Sequence, residues 1–151
     1  MIEQITDPAL REAIAREVLA RLPDWLSFPE ATQGYISGVR DCTFWADTEG
    51  EVLRGFIALR PTAKKAAELY VLGVLPEYHR KGVGRALFTA LESWLLAHKY
   101  DYLTVKTVKP GVWESYDKTN AFYEAMGFTP LMLLPELWDE KNPCQVYIKR
   151  I

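Results

Sequence analysis

Apolar residues near the N-terminus recur at the spacing of an amphipathic helix. They predict a helix over residues 8–22, capped by Thr6 or Asp7 and ended by Pro23. Its apolar face is formed by residues four apart: Leu10, Ile14, Val18 and Leu22. A second amphipathic pattern, interrupted by two glycines, predicts a helix over residues 29–40. The chain therefore begins with two helices.

Runs of apolar and β-branched residues predict three strands after these helices. Strands over residues 43–47 and 52–60 are joined by the short turn Thr48-Glu49-Gly50, which is typical of a hairpin. A polar loop over residues 61–66 leads to an apolar strand over residues 67–74. An antiparallel pair and a buried strand are thus expected in the middle of the chain.

Helical and strand patterns alternate in the C-terminal half. The helix predicted over residues 83–99 has a buried stripe formed by Val83, Leu87, Ala90, Leu91 and Trp94. The remaining elements are a strand over residues 102–108, a helix over residues 115–126, and strands over residues 129–134 and 145–149. The C-terminal half thus has the order helix, strand, helix, strand, strand.

Composition limits the domain count and excludes several classes of partner. The 151 residues, 49% of them hydrophobic, suffice for one core, so a single domain over residues 1–151 is expected. A net charge of −2 gives no general attraction to nucleic acid or to an anionic membrane. No apolar stretch approaches the ~20 residues of a membrane span, and no signal-peptide pattern begins the chain. We expect a cytoplasmic protein that binds neither nucleic acid nor membrane.

The two cysteines, Cys42 and Cys144, have neither metal-ligand spacing nor the number that a disulfide framework needs. No metal site is predicted. Cys144 could be an acyl-carrying nucleophile, but no histidine is placed by sequence to activate it. An inert buried thiol is therefore the favoured interpretation.

The most informative stretch joins the strand over residues 67–74 to the helix over residues 83–99. Gly82 and Gly84 remove side chains where the backbone must approach something closely, and the helix start offers unpaired N–H groups. Three cations lie within six residues: Arg80, Lys81 and Arg85. Together these features predict a phosphate site. The alternative is a strand-to-helix turn whose glycines serve only packing.

Two nucleotide-binding motifs do not match this stretch. A P-loop requires Lys and Ser or Thr after its last glycine, whereas Gly84 is followed by Arg85 and Ala86. A dinucleotide fingerprint requires a third glycine where Leu87 stands. Both motifs are therefore excluded.

The segment His79-Arg80-Lys81-Gly82-Val83-Gly84 resembles the pyrophosphate motif of the GNAT superfamily of acyl-CoA-dependent N-acetyltransferases. In that motif, Gln/Arg-x-x-Gly-x-Gly/Ala follows a strand and opens a helix. His79 at the Gln/Arg position is a departure. Residues 120–128 resemble the family's second landmark, a helix with Phe/Leu-Tyr that closes on Gly-Phe. The resemblance implies the GNAT fold, which is an α/β fold (α+β, with a single mixed sheet), in one domain.

The resemblance also implies acetyl-CoA as cosubstrate, lying where the strands over residues 67–74 and 102–108 splay apart. The pantetheine arm would then pair like an added strand with backbone near Gly73. An alternative role for Gly73 is packing under a helix. The cofactor-binding residues that the resemblance implies are Leu72, Gly73, Val74, His79, Arg80, Lys81, Gly82, Val83, Gly84 and Arg85.

Two catalytic residues are carried over. Glu68 stands where some family members have a glutamate base. It could also be a solvated carboxylate at a sheet edge. Deprotonation through water, without a dedicated residue, is a further alternative. Tyr123 matches the tyrosine that serves many members as general acid toward the thiolate, with a place in the core as its alternative. Phe122 is expected in the core because of its spacing to Met126, and Tyr123 on another face. No coenzyme contact is carried over to Asn120.

The predicted function is N-acetyl transfer from acetyl-CoA directly to a primary amine of a small molecule or a protein. One alternative is a catalytically silent acyl-CoA-binding regulatory module of the same fold. A third class is a nucleotide-phosphate binder unrelated to coenzyme A. The sequence is also compatible with a homodimer.

Overall fold

A computed structural model describes the backbone of residues 1–151 and every side chain except that of Leu26. Seven strands form one mixed sheet in the order β1-β2-β3-β4-β5-β7-β6. The strands are β1 (Ile2–Gln4), β2 (Thr43–Glu49), β3 (Val52–Ala63), β4 (Ala66–Val74), β5 (Tyr102–Val108), β6 (Thr129–Asp139) and β7 (Asn142–Arg150). The helices are α1 (Pro8–Leu19), α2 (Pro23–Leu26), α3 (Pro29–Gly38), α4 (Val83–Ala97) and α5 (Glu114–Ala125). The predicted α+β fold with a mixed sheet is confirmed.

Helix α1 shows where the apolar pattern was misleading. Asp7 caps the helix, and its Oδ1 accepts a hydrogen bond of 3.0 Å from the Ala9 N–H. The helix ends at Leu19 rather than at residue 22. Leu22 has an extended backbone, as is favoured before a proline, and α2 begins at Pro23. Leu10 is exposed, and the buried face consists of Ile14, Ala15, Val18 and Leu19.

The chain forms two compact units. Residues 1–60 and 70–98 make up the first, and residues 61–69 and 99–151 make up the second. In the first unit, β2 pairs antiparallel with β1 on one side and with β3 on the other. Residues of α1 and α3 pack with these strands in one buried cluster, whose largest members include Leu19, Phe44 and Phe56.

In the second unit, the first part of β4 pairs in parallel with β5, from Ala66↔Tyr102 to Leu69↔Val105. Strand β7 pairs antiparallel with both β5 and β6. The prediction of a polar loop over residues 61–66 is wrong in its bounds. Strand β3 continues to Ala63 and β4 begins at Ala66, so only residues 64 and 65 connect them.

Strand β6 stands at one end of the strand order and exposes several large apolar side chains. These are Leu131, Met132, Leu133, Leu137 and Trp138. Across the described residues, no helix has the length and apolar character needed to span a membrane.

Candidate active site

The turn after β4 uses two left-handed residues to aim the start of α4. A 3₁₀ turn over Pro76–Tyr78 is followed by Arg80 at φ +62° and Gly82 at φ +81°. A Cβ at Gly82 would meet no heavy atom within 4 Å, so the backbone angle rather than crowding requires glycine. An arginine in the left-handed region costs about 1–3 kcal/mol, and such residues concentrate at ligand sites.

The N-terminus of α4 has the groups that an anion needs. Gly82 is the N-cap, and among the described residues no side chain caps the helix. The first N–H groups therefore lack a capping acceptor and carry the positive end of the helix dipole. Arg80, Lys81 and Arg85 are exposed around them. The open space at Gly82, the uncapped donors and the cations all fit a pyrophosphate group.

His79, the departure from the family motif, is bonded within the turn. Its Nε2 lies 2.7 Å from the Val74 carbonyl oxygen. Because a carbonyl can only accept, Nε2 carries the proton in this contact. His79 thus ties the turn to the last residue of β4.

Gly73 lies against α1. A Cβ on Gly73 would be 3.0 Å from Val18 Cγ1 and 3.1 Å from Phe56 Cε1. The carbonyl oxygen of Gly73 would in turn be 2.7 Å from a Cβ on Gly55. Gly73 therefore serves close packing under a helix, the alternative role predicted for it. This role leaves its backbone groups able to bind a ligand.

Glu68 is buried in the sheet, with 5% of its surface exposed. The ammonium Nζ of Lys106 lies 2.9 Å from Glu68 Oε2. Strand β4 has β3 on one side and β5 on the other, so Glu68 is not on an edge strand. The alternative of a solvated edge carboxylate is therefore wrong. The sequence contains no local signal for Lys106, because only the β4–β5 register brings it to Glu68.

The register assigns side chains to the two faces of the sheet in the second unit. Glu68 pairs with Thr104, so Lys106, two residues further along β5, shares its face. Cys144 pairs with Val108 and lies on that face as well. Tyr147 pairs with Val105 and therefore lies on the opposite face.

Cys144 is fully buried. Burial raises the pKa of its thiol to about 11, which outweighs the smaller lowering by Lys106 and adds to a small raising by Glu68. At neutral pH the group is therefore a neutral thiol rather than a nucleophilic thiolate. This supports the interpretation of an inert cysteine.

Cys144→Ala is expected to change the acetyltransferase rate by less than about twofold, because a neutral buried thiol carries no acyl group. In the folded protein, iodoacetamide at pH 8 should leave the thiol unmodified, as measured by mass spectrometry. Unfolding in guanidinium should restore labelling. Rapid labelling of Cys144 in the folded chain would contradict the assignment.

Tyr123 is buried at 6% exposure, whereas Phe122 is only half-buried. The expectation that Phe122 rather than Tyr123 packs in the core is therefore wrong. The Tyr123 ring lies 5.6 Å from the Phe128 ring and 6.2 Å from the Tyr147 ring, measured between centroids. Burial raises the pKa of Tyr123 above its ordinary value, so the phenol stays protonated at neutral pH.

Asn120 fixes α5 to the sheet one turn before Tyr123. Its Nδ2 donates to the Val108 carbonyl at 2.9 Å and to the Tyr116 carbonyl at 2.7 Å. Its Oδ1 accepts from the Tyr147 hydroxyl at 2.5 Å. These bonds use both amide hydrogens and one acceptor position of Oδ1, so Asn120 positions the helix that carries Tyr123.

The predicted site residues divide between the two compact units. All residues predicted to bind the coenzyme lie in the first unit, and Glu68 and Tyr123 lie in the second. Within the first unit, His79 is brought to Val74. Within the second, Glu68 is on one sheet face and Tyr123 packs with Tyr147 on the other. Among the described residues, no three His, Cys, Asp or Glu side chains are grouped to hold a metal ion.

Comparison with known proteins identifies the family. A model of the acetyltransferase (GNAT) domain matches residues 40–130, well over half of the chain. The chain therefore belongs to the GNAT acetyltransferase family. In a search of curated proteins, no sequence matches.

Solved structures share the fold over nearly the whole chain at low identity. A Desulfovibrio desulfuricans protein assigned to the GNAT family has a TM-score of 0.82 at 19% identity, and the match covers 99% of this chain and 98% of that one. An aminoglycoside 6′-N-acetyltransferase complexed with coenzyme A has a TM-score of 0.77 at 18% identity, with 99% and 96% covered. The ribosomal-protein-S18-alanine N-acetyltransferase from Escherichia coli has a TM-score of 0.76 at 20% identity, with 100% and 93% covered.

Proposed function

We propose that residues 1–151 form one N-acetyltransferase domain that transfers an acetyl group from acetyl-CoA directly to a primary amine of a small molecule or a protein. The observation that carries this proposal is the N-terminus of α4, which is uncapped, follows a left-handed turn at Gly82 and is surrounded by cations. Membership of the GNAT family and the coenzyme A complex of a structural relative support it.

Coenzyme binding is assigned to the end of β4 and to the turn that follows. Backbone N–H groups over residues 82–84 and the side chains of Arg80, Lys81 and Arg85 would hold the pyrophosphate. Strand β4 continues past Leu69, the last residue of its parallel ladder with β5. Backbone groups of Leu72, Gly73 and Val74 would pair with the pantetheine amides.

Acetyl-CoA supplies an acetyl group activated as a thioester, so that a C–N bond to the amine forms as the C–S bond breaks. An alkylamine with a pKa near ~10.4 is mostly protonated at neutral pH and must lose a proton before it attacks. Glu68, directly or through a water molecule, accepts that proton. Tyr123 donates a hydrogen bond to the sulfur as negative charge develops there. The raised pKa of Tyr123 favours this donation over complete proton loss.

The catalytically silent acyl-CoA-binding module is the second candidate. The observation that favours it is the ion pair between Glu68 and Lys106, since a carboxylate bound to an ammonium can be purely structural. The two candidates differ in turnover. Release of coenzyme A in the presence of an amine supports the enzyme, and binding without release supports the module.

Acetyl-CoA at a hundred times its dissociation constant should stabilise the chain by about 2.7 kcal/mol, measured as a rise in melting temperature. Gly84→Asp should abolish this rise, because a carboxylate would stand where the phosphate binds. Gly34→Asp is the matched control, since Gly34 is exposed in α3 with no heavy atom near its Cβ position. Desulfo-CoA should reproduce the rise, whereas ATP should not.

No rise in melting temperature with millimolar acetyl-CoA would contradict coenzyme binding. A rise retained in Gly84→Asp would mean that the phosphate site lies elsewhere. The acceptor is then sought by screening amines for release of coenzyme A. The names of the structural relatives suggest that aminoglycosides and ribosomal protein S18 belong in the screen.

We also propose that the protein is cytoplasmic and forms a homodimer. The exposed apolar side chains of β6 lie on a strand at the end of the sheet, where unpaired backbone groups can join a second chain. This strand is therefore the surface we assign to self-association.

A further inference from the structure

Lys106 contacts the one acidic side chain buried within β4. Its Nζ lies 2.9 Å from Glu68 Oε2. The Glu68 side chain is 7% exposed and the Lys106 side chain 36% exposed, so the pair extends from the sheet interior toward the surface. A carboxylate as deeply buried as this one is expensive to keep ionised unless a cation balances it.

We propose that Lys106 is a positioning residue that fixes the Glu68 carboxylate in place and keeps it ionised to accept the proton of the acceptor amine. This inference rests on the proposed function, because it requires that Glu68 is the base. A carboxylate must be ionised before it can accept a proton, and an adjacent ammonium favours that form. The bond to Oε2 also restricts rotation of the carboxylate.

Several groups of β5 and β7 share the sheet face of Glu68. Thr104, directly opposite Glu68 on β5, is neutral. Cys144 on β7 is a protonated thiol at neutral pH, because burial raises its pKa to about 11. At the far end of the face, Tyr102 contacts the guanidinium of Arg150 rather than Glu68. Lys106 is thus a cation on β5 whose ammonium contacts Glu68.

The ion pair between Glu68 and Lys106 is not expected to add much to the stability of the fold. Replacing a buried ion pair with apolar side chains of similar volume is often neutral or stabilising. Glu68→Leu combined with Lys106→Met should therefore melt at or above the temperature of the natural protein. The same double change should be inactive at neutral pH if the pair serves the reaction.

The test combines a direct titration with kinetics. Glutamate labelled with ¹³C at the carboxyl carbon is followed by NMR, and the Glu68 signal is identified by its loss in Glu68→Gln. In Lys106→Met, the titration of Glu68 should move toward higher pH, because the neighbouring ammonium is lost. The acidic limb of the kcat/KM profile should move in the same direction, so that on this limb the rate falls about tenfold.

Two further variants complete the test. Lys106→Arg retains the cation and should keep both the titration and the profile close to those of the natural protein. Lys64→Met removes an exposed lysine in the turn between β3 and β4 and should change neither. Lys106→Gln replaces Lys106→Met if the latter fails to fold.

Each contrary outcome has one meaning. An unchanged Glu68 titration in Lys106→Met would overturn the proposal. A shifted titration with an unchanged kcat/KM profile would overturn its catalytic part, because Glu68 would then not be the base. A natural protein that acetylates no amine would contradict the proposed function, while the NMR titration would still decide whether Lys106 controls Glu68.

Discussion

Tyr123→Phe is expected to lower kcat about a hundredfold while leaving the affinity for acetyl-CoA nearly unchanged. Only the hydroxyl is lost, and its hydrogen bond to sulfur matters as negative charge develops in the transition state. The ring contacts with Phe128 and Tyr147 remain in the variant, so the packing of α5 should be retained. Steady-state kinetics with a verified acceptor measure the first effect, and a binding titration measures the second.

The control for this variant is Tyr102→Phe, which removes the hydroxyl of an exposed tyrosine on β5. It should change kcat by less than about twofold. A melting curve shows whether Tyr123→Phe is folded. If the folded variant turns over at the natural rate, Tyr123 is a core residue and the departing thiolate is stabilised by another group.

Elements with strong local signals could be predicted from the sequence. Asp7 before Pro8 indicated the start of α1, and Gly127 after residue 126 indicated the end of α5. Gly82 was singled out for close backbone approach, whereas in the structure its left-handed backbone angle is what favours glycine. These signals act within a few residues, so no knowledge of the rest of the chain was needed.

The C-terminal end of α1 was missed for a similar local reason. Leu22 fits the apolar spacing of the helix, but a residue before proline is disfavoured in the helical region. The proline accounts for the exclusion of Leu22, but the helix ends three residues before that position, at Leu19. The short helix α2, which begins at Pro23, was therefore not predicted.

Burial on α5 could not be read from helical spacing alone. Phe122 and Met126 are four residues apart and were expected to share the core. Tyr123 is the deeper residue because Tyr147, from a distant strand, packs against its ring. Which face of a helix is covered depends on its partner, and α5 has too few apolar residues to decide between two faces.

The environment of Glu68 was also inaccessible from the sequence. A carboxylate in an apolar strand has two interpretations, and the choice depends on what the neighbouring strand places beside it. The ladder from Ala66↔Tyr102 to Leu69↔Val105 brings Lys106 to the same sheet face. Register is a tertiary property, since a shift of one residue would have moved Lys106 to the opposite face.

Glu68→Gln is expected to depress kcat/KM roughly a hundredfold at neutral pH and to recover toward alkaline pH. The amide has nearly the volume of the carboxylate but cannot take a proton from the amine. Each unit of pH below the amine pKa of ~10.4 changes the neutral fraction of the acceptor about tenfold. At high pH, more acceptor arrives already neutral, so the missing base matters less. The pH–rate profiles of the two proteins should therefore converge in alkaline solution.

Glu51→Gln, at an exposed turn position between β2 and β3, is the control and should follow the natural profile throughout. Lys106 loses its carboxylate partner in Glu68→Gln, so the folding of this variant is checked by its melting temperature. The ammonium of Lys106 is partly exposed and can be hydrated, so we expect the variant to fold. A folded Glu68→Gln variant with the natural profile would remove Glu68 from the reaction. Proton removal would then fall to ordered water, with the ion pair to Lys106 serving only the sheet.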